Sequence, residues 1–313
     1  MARTESTLLH RTALIGIRAS ALLLLLSTAH ASAAEAAPDA APSAARRPEI
    51  QIELGYTHDT NVTRARVASD ILHDNIFAAQ ASTDHVLPIN ANSRVTLTGV
   101  VGADGFARYS GLGRIFGEAQ ASIDYRASGE FDAVTYGAFI RLAGDRYESR
   151  LRRGYRYTFG ATIQRALTDR INIFGAIARE ERRAESAVFE GRNYSARLNL
   201  DYALHERGTL YVGGDYRHGD TVSSGRASLE NIDTAKVLVQ DNAFRSSEFF
   251  SYRFNADTLV STLGYNLGLG PKASIDLAWR HAVSRPKQSL SFATTVPERY
   301  VSNQILLNYA LRF

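Results

Sequence analysis

The sequence predicts an all-β protein, a transmembrane antiparallel up-and-down β-barrel of about twelve strands that follows a cleaved signal peptide. Three observations carry this expectation. From Ile50 onward apolar residues recur with a period of two, with no convincing stretch of period 3.6. The alternating segments run to roughly 10–15 residues, where a soluble sandwich strand has about 5–6 and a tilted bilayer crossing needs more. The connections between them alternate between short and long.

Composition sets the outer bounds. The 313 residues include no cysteine, which excludes a disulfide scaffold, thiolate metal sites and a Cys nucleophile. A mean hydropathy near zero argues against a helical membrane protein only, because a strand with one wet and one dry face averages to almost nothing. The basic residues are 33 Arg against 3 Lys (Lys236, Lys272, Lys287). Either high-GC coding or a use for the guanidinium fork accounts for that bias.

The N-terminal segment reads as an address. Arg3, Arg11 and Arg18 precede the apolar run Ala21 to Leu26, and small residues follow in an A-x-A arrangement through Ala33 and Ala34. This is the layout of a secretory signal peptide over 1–34, and its apolar core is too short for the ~20 residues of a spanning helix. Its removal takes three Arg and one Glu, so the formal charge falls from +4 to +2. Residues 35–48, rich in Ala and Pro, read as a disordered leader, and 49–313 as the barrel.

Strands are expected near 50–60, 75–87, 93–104, 115–126, 132–144, 154–167, 170–182, 192–204, 208–218, 252–267, 272–283 and 300–313. The clearest is Tyr194 to Leu204, with Tyr194, Ala196, Leu198, Leu200, Tyr202 and Leu204 on one face and Ser195, Arg197, Asn199 and Asp201 on the other. Residues 155–164, 115–126 and 274–280 alternate in the same way. Tyr and Phe gather near the strand ends (Tyr125, Tyr155, Tyr202, Tyr265, Phe313), as in the aromatic girdles of membrane barrels. Short turns (88–92, 127–131, 168–169, 205–207, 268–271) fall on one side. Long loops (61–74, 105–114, 145–153, 183–191, 219–251, 284–299) fall on the other, which is the side expected to face outward.

The final strand is the most specific single signal. Ile305, Leu307, Tyr309, Leu311 and Phe313 share one face, with a terminal Phe and a Tyr fifth from the end. It resembles the C-terminal insertion signal of Gram-negative outer-membrane barrels, and the resemblance implies recognition by the barrel assembly machinery. The run Gly55-Tyr56-Thr57-His58-Asp59-Thr60-Asn61-Val62-Thr63-Arg64-Ala65, followed by Ser69-Asp70, is similar to the opening strand and first loop of barrel porins. It is similar as well to the barrel half of surface-lipoprotein assembly modifiers. That second family carries a helical-repeat domain before its barrel, and residues 35–49 supply none. Asp59, Asn61 and Asp70 read as plain loop-turn residues.

If the apolar faces meet lipid, the other faces line a lumen. The expected pore-lining residues are Arg94, Glu118, Asp124, Arg126, Arg141, Arg156, Arg182, Arg197, Asp201, Asp215, Arg217, Asp276 and Arg280, with Glu180 and Arg312 beside them. Two uses compete: a ladder of Arg–carboxylate pairs that stiffens a narrow barrel, or a porin-like pore whose Arg excess passes small polar or anionic solutes. The loop 219–251, with its apolar stretch Val237-Leu238-Val239, either folds inward over the mouth or extends a hairpin.

Other classes find little support. His281, with Ser284 nearby, is the best match to a membrane-boundary hydrolase, but no motif surrounds either residue, so no catalytic residue is assigned. The pairs His58-Asp59 and His73-Asp74 read as solvated loops, and neither a metal nor another cofactor is expected. Acidic and basic residues are interspersed with no basic stripe, so nucleic acid is not an expected partner. The expected partners are outer-membrane lipids and lipopolysaccharide, whose phosphates suit arginine. The alternatives to a porin-like channel are a non-conducting barrel in surface export, assembly or a structural role, and an outer-membrane lipid-modifying enzyme.

Overall fold

A computed structural model describes residues 49–288, 291–292 and 294–313. The expected signal peptide and leader lie outside the described residues. The described residues form thirteen strands: β1 (Glu49–Asp59), β2 (Asp74–Asn90), β3 (Ser93–Phe106), β4 (Arg114–Arg126), β5 (Thr135–Tyr147), β6 (Gly154–Ala166), β7 (Ile171–Ala184), β8 (Gly191–His205), β9 (Gly208–Arg226), β10 (Val237–Gln240), β11 (Phe249–Gly268), β12 (Ala273–Pro286) and β13 (Tyr300–Arg312). Twelve of them pair antiparallel with their neighbours, β9 pairs with β11, and β13 pairs with β1 from Gln51–Arg312 to Asp59–Gln304. The sheet therefore closes into a barrel with no free edge along its wall. The short strand β10 pairs with the outer end of β11 above the barrel proper.

Closure fixes which way each side chain points, because directly paired residues share a face. Followed strand by strand around the ring, the register returns to its starting parity at β1. One face carries Ile52, Leu54, Phe77, Val101, Ile140, Leu198, Leu277, Ile305 and Leu307, all exposed. An exposed apolar surface of this extent belongs against lipid. No described helix is long and apolar enough to cross a membrane.

The inward face is polar and its burial is graded. Near the short turns its residues reach solvent: Asp84 and Arg94 are exposed, while Gln51, Asp124, Asp201 and Asp276 are partly so. Towards the long loops Asp59, Asp74, Asp104, Arg114, Asp145, Arg280 and Gln304 are buried. Aromatic rings lie flat on neighbouring glycines inside the wall. Phe116 covers Gly102 and Tyr211 covers Gly264, where any β-carbon would collide with the ring.

The strand bounds match expectation to within about three residues at most ends. The segment 219–251 differs. β9 runs on to Arg226 and β11 begins at Phe249, so much of the expected loop is sheet rising past the rim, with β10 formed from Val237-Leu238-Val239 and Gln240.

Trp279 is the single tryptophan and faces outward at mid-strand. In bilayers with brominated acyl chains its emission should be strongly quenched, and emission equal to that in unbrominated lipid would reject the lipid-facing parity. Arg114 binds Asp104 at 2.9 Å and Asp145 at 2.6 Å, all three buried. Arg114→Ala would strand the buried Asp104 and leave Asp145 to Arg156, and should cost about 3–5 kcal/mol of stability, read from the denaturant unfolding of the refolded barrel.

Candidate functional site: the lumen and its covered mouth

All thirteen expected lumen residues fall on the inward parity: Arg94, Glu118, Asp124, Arg126, Arg141, Arg156, Arg182, Arg197, Asp201, Asp215, Arg217, Asp276 and Arg280. Near the short turns Arg94 donates to Asp124 at 3.1 Å, Tyr211 donates to Asp276 at 2.9 Å, and Asp201 sits opposite Tyr211. Arg126 turns to the carbonyls of Glu130 and Phe131 in its own turn. At mid-height Arg141 lies 3.2 Å from Glu118 and donates to Gln120, while Arg156 reaches Asp145 at 3.0 Å and Glu180 at 3.7 Å. Arg197 and Arg217 share Asp215, at 3.2 and 2.7 Å. Arg280 is buried, donates to Gln304 at 3.2 Å, and leaves its Nε without a partner.

The register corrects one part of the expectation. Glu53, Asp59, Asp74, Asp84, Asp104 and Asp145 also face inward, so the lumen carries at least as many carboxylates as guanidiniums. Asp59, Asp74, Asp104 and Asp145 sit towards strand ends, where alternation alone does not separate lumen from loop, whereas Glu53 and Asp84 lie within β1 and β2. At mid-height on the β8–β12 side Arg197, Arg217 and Arg280 meet one carboxylate, Asp215, while Asp201 and Asp276 of the same strands lie nearer the short turns.

The outer mouth is covered. The tops of β9 and β11, a short helix α1 (Leu229–Thr234), β10 and the turn after it cross the opening and touch five other loops, through Asp70, Ser110, Arg152, Glu190 and Ser291. Phe244 and Phe249 pack with the inward-facing Ile76 and Phe106 on β2 and β3. On the other side Tyr252 and Phe254 pack with Tyr300. Gly219 sits where β9 leaves the wall, with φ +145°, a conformation open to glycine.

Polar latches hold this cover. Asp70, from the first loop, accepts from the Arg226 backbone at 3.1 Å, from its guanidinium at 3.2 Å and from Asn231 at 3.1 Å. The Thr63 carbonyl accepts from Ser224 at 2.8 Å. Arg66, buried, donates to the Glu230 carbonyl and to Thr234 and lies over the Tyr300 ring. Arg152, between β5 and β6, pairs with Asp241 at 2.6 Å and lies over Phe189. Asp241 also accepts from Ser251 and from the Ala243 amide.

Asp59, Asn61 and Asp70 are thus buried anchors rather than plain turn residues. Asn61 ties the first loop to the Ala65 and Val301 carbonyls, and Asp59 holds Arg64 and Gln304. Asp74, likewise buried, caps the Arg108 and Tyr109 amides, so neither His–Asp pair is a solvated loop. No group of three ligating side chains suited to a metal occurs among the described residues. His281 faces outward, stacked on Trp279 and bonded to Asn303, whereas Ser284 faces inward against Thr258. The two do not converge on one site.

Burial opposes the charge of Asp241, but Arg152 and the hydrogen bonds overcome it and hold its pKa below the ordinary carboxylate range. A carboxylate lowered in the folded state stabilises above its unfolded pKa and loses that contribution only as pH falls through its folded value. Mouth closure, read as protection of a cysteine introduced at Ala235 from a membrane-impermeant thiol reagent, should hold from neutral pH down to about 4 and weaken below it. Asp241→Asn should weaken it across the range where the native latch holds, and the two proteins should converge at lower pH. Equal protection in both proteins would reject the latch.

No protein-family model and no curated protein matches the chain. Among solved structures it is similar to an outer-membrane channel from Pseudomonas putida F1, at 12% identity and a TM-score of 0.54, over 89% of this chain and 100% of that one. Looser likenesses are the NanC porin (8% identity, 83% and 98% covered, TM-score 0.43) and the KdgM porin in complex with disordered oligogalacturonate (9%, 84% and 99%, 0.42). By its fold the chain is a closed twelve-stranded antiparallel β-barrel, the fold it shares with that solved channel structure.

Proposed function

We propose that the protein is a lid-gated, porin-like channel of the bacterial outer membrane that passes small polar solutes, anionic ones included. The observation that carries this reading is the graded lumen, predominantly polar, reachable by solvent from the short-turn end and covered at the long-loop end. A barrel filled for stiffness alone has no reason to keep its lower half wet. The cover is tied down by separate polar latches, which can release one by one while the wall stays paired. The cluster of Arg197, Arg217 and Arg280 supports a preference for anions at mid-lumen, where confined cationic side chains act on a passing charge. Insertion through Ile305, Leu307, Tyr309, Leu311 and Phe313 by the barrel assembly machinery belongs to the same reading.

The covered mouth favours a second reading, a non-conducting barrel with a role in export or surface structure. Planar-bilayer recording separates the two. The native chain should show rare openings, and Asp241→Asn combined with Arg226→Gln should make them frequent. Silence from both folded proteins would reject the channel. Where openings occur, Arg280→Gln should move the reversal potential away from the anion side, and an unchanged potential would reject the anionic preference.

A further inference from the structure

The outward-facing rows of β1, β2, β3, β4 and β13 contain no Asp, Glu, Lys or Arg. The rows of β7, β8, β9 and β11 differ at their outer ends only. There the lipid-side parity carries Arg179, Glu181 and Arg183, then Arg192, then Asp220 and Asp257, and Arg253 above the rim with Lys236 beside it; Arg146 on β5 and Arg285 on β12 are further outward charges at outer strand ends. Below this level the same rows return to Ile177, Leu198, Val212 and Leu263, all exposed and apolar. The outward charges therefore form a partial collar at the outer strand ends between β5 and β12, densest on β7 and β8 and absent from β1–β4 and β13. Near the short turns the outward faces carry Arg165, already paired with Asp132 at 2.7 Å.

The collar encloses an open cleft of about 460 Å³ between β7, β8, β9 and the crossing strands, lined in part by Arg183, Arg192, Tyr194, Lys236 and Arg253. Its acids are engaged. Glu181 is bound by Tyr157, Arg179 and Arg192, and Asp220 takes the Arg192 amide at 3.1 Å and Lys236 at 3.6 Å. Donor capacity remains on the cations. The Arg183 side chain is 53% exposed and lies 4.0 Å from Glu190, while Arg253 donates through Nη1 to the Glu190 carbonyl at 2.6 Å and keeps a buried Nε without a partner. Two guanidinium forks and an ammonium around one cleft, just above an apolar belt, fit an anion carried at the membrane surface.

We propose that this cleft binds the phosphorylated headgroup of an outer-leaflet glycolipid, its acyl chains lying on the apolar rows of β7–β9 below. The assignment rests on the membrane reading of the barrel, because only then does the collar sit at headgroup height. Charge complementarity and the continuity of cleft with apolar wall favour a lipid over free phosphate.

The refolded full chain in detergent would be titrated with lipopolysaccharide, with lipopolysaccharide stripped of its phosphates, and with inorganic phosphate as competitor. Arg183→Gln with Arg192→Gln should weaken lipopolysaccharide binding at least about tenfold, a loss of more than one charge-assisted bond. Arg183→Gln alone, at a half-exposed position, gives a smaller loss in the same direction if the double variant fails to fold. Arg165→Gln should change nothing. Removal of the lipid phosphates should weaken binding to the native chain and leave the double variant unaffected. Equal binding by native chain and variants, or by phosphorylated and stripped lipid, would overturn the site. Full competition by inorganic phosphate alone would overturn the lipid assignment. Quenching of Trp279 by brominated lipid, retained while the site fails, would show that the headgroup inference and not the membrane reading is wrong.

Discussion

The rest of the structure depends on one constraint: in hydrocarbon no water is present to satisfy a backbone amide or carbonyl, so the sheet must close. Closure is made at β13, which pairs with β12 along one edge and with β1 along the other. Once that seam is set, the facing of every residue in the ring is set with it, and a slip of one residue would turn every side chain to the wrong side. The pure apolar row Ile305, Leu307, Tyr309, Leu311 and the polar row Gln304, Asn308, Arg312 on this one strand are the sequence requirement of a seam that meets lipid outside and water inside.

Closure also explains the charges within. Each inward position has water on one side only where the lumen is open. In the lower half, solvent reaches Asp84, Arg94 and Asp124, and a single salt bridge suffices. In the upper half the cover excludes solvent, and there every strongly buried acid lies within hydrogen-bond reach of a donor: Asp104 and Asp145 on Arg114, Asp59 on Arg64 and Gln304, Asp241 on Arg152. An unpaired charge at such a position carries a large desolvation penalty. The density of pairing thus follows the loss of water, and the cover and the upper ion pairs depend on each other.

The strands were legible because alternation and turn length are local signals. β4 was expected at 115–126 and spans Arg114–Arg126, and the lumen parity of residues such as Arg141 and Asp215 follows from counting by twos. The cover was not legible, for a physical reason. Above the rim both faces of β9 and β11 are covered, so Ser223, Ser224 and Ser251 are buried together with Tyr252 and Phe254, and the wet–dry alternation vanishes. Its latches join positions far apart in sequence, such as Asp70 with Asn231 and Arg152 with Asp241, which no local pattern reports. The acids at strand tips, Asp59, Asp74 and Asp145, read as loop residues for the same reason, and an apparent Arg excess resulted.

The preference for arginine over lysine finds its explanation in geometry. Arg114 holds two carboxylates from different strands with different nitrogens while stacking on Phe116. Arg226 reaches Asp70, Glu248 and the Ser69 carbonyl, and its guanidinium lies over Phe249. Arg152 joins Asp241 and lies over both Phe189 and Phe244. Each task needs a flat cation with several fixed donors and a face able to lie on a ring, which the lysine ammonium lacks. Lys236 and Lys287 instead occupy partly exposed rim positions, each paired with one carboxylate. Coding bias alone would spread arginine evenly over the surface. Its concentration at shared carboxylates, on aromatic rings and in the outer collar, and its absence from the outward rows of β1–β4 and β13, point to selection for what the guanidinium can do in a barrel wall.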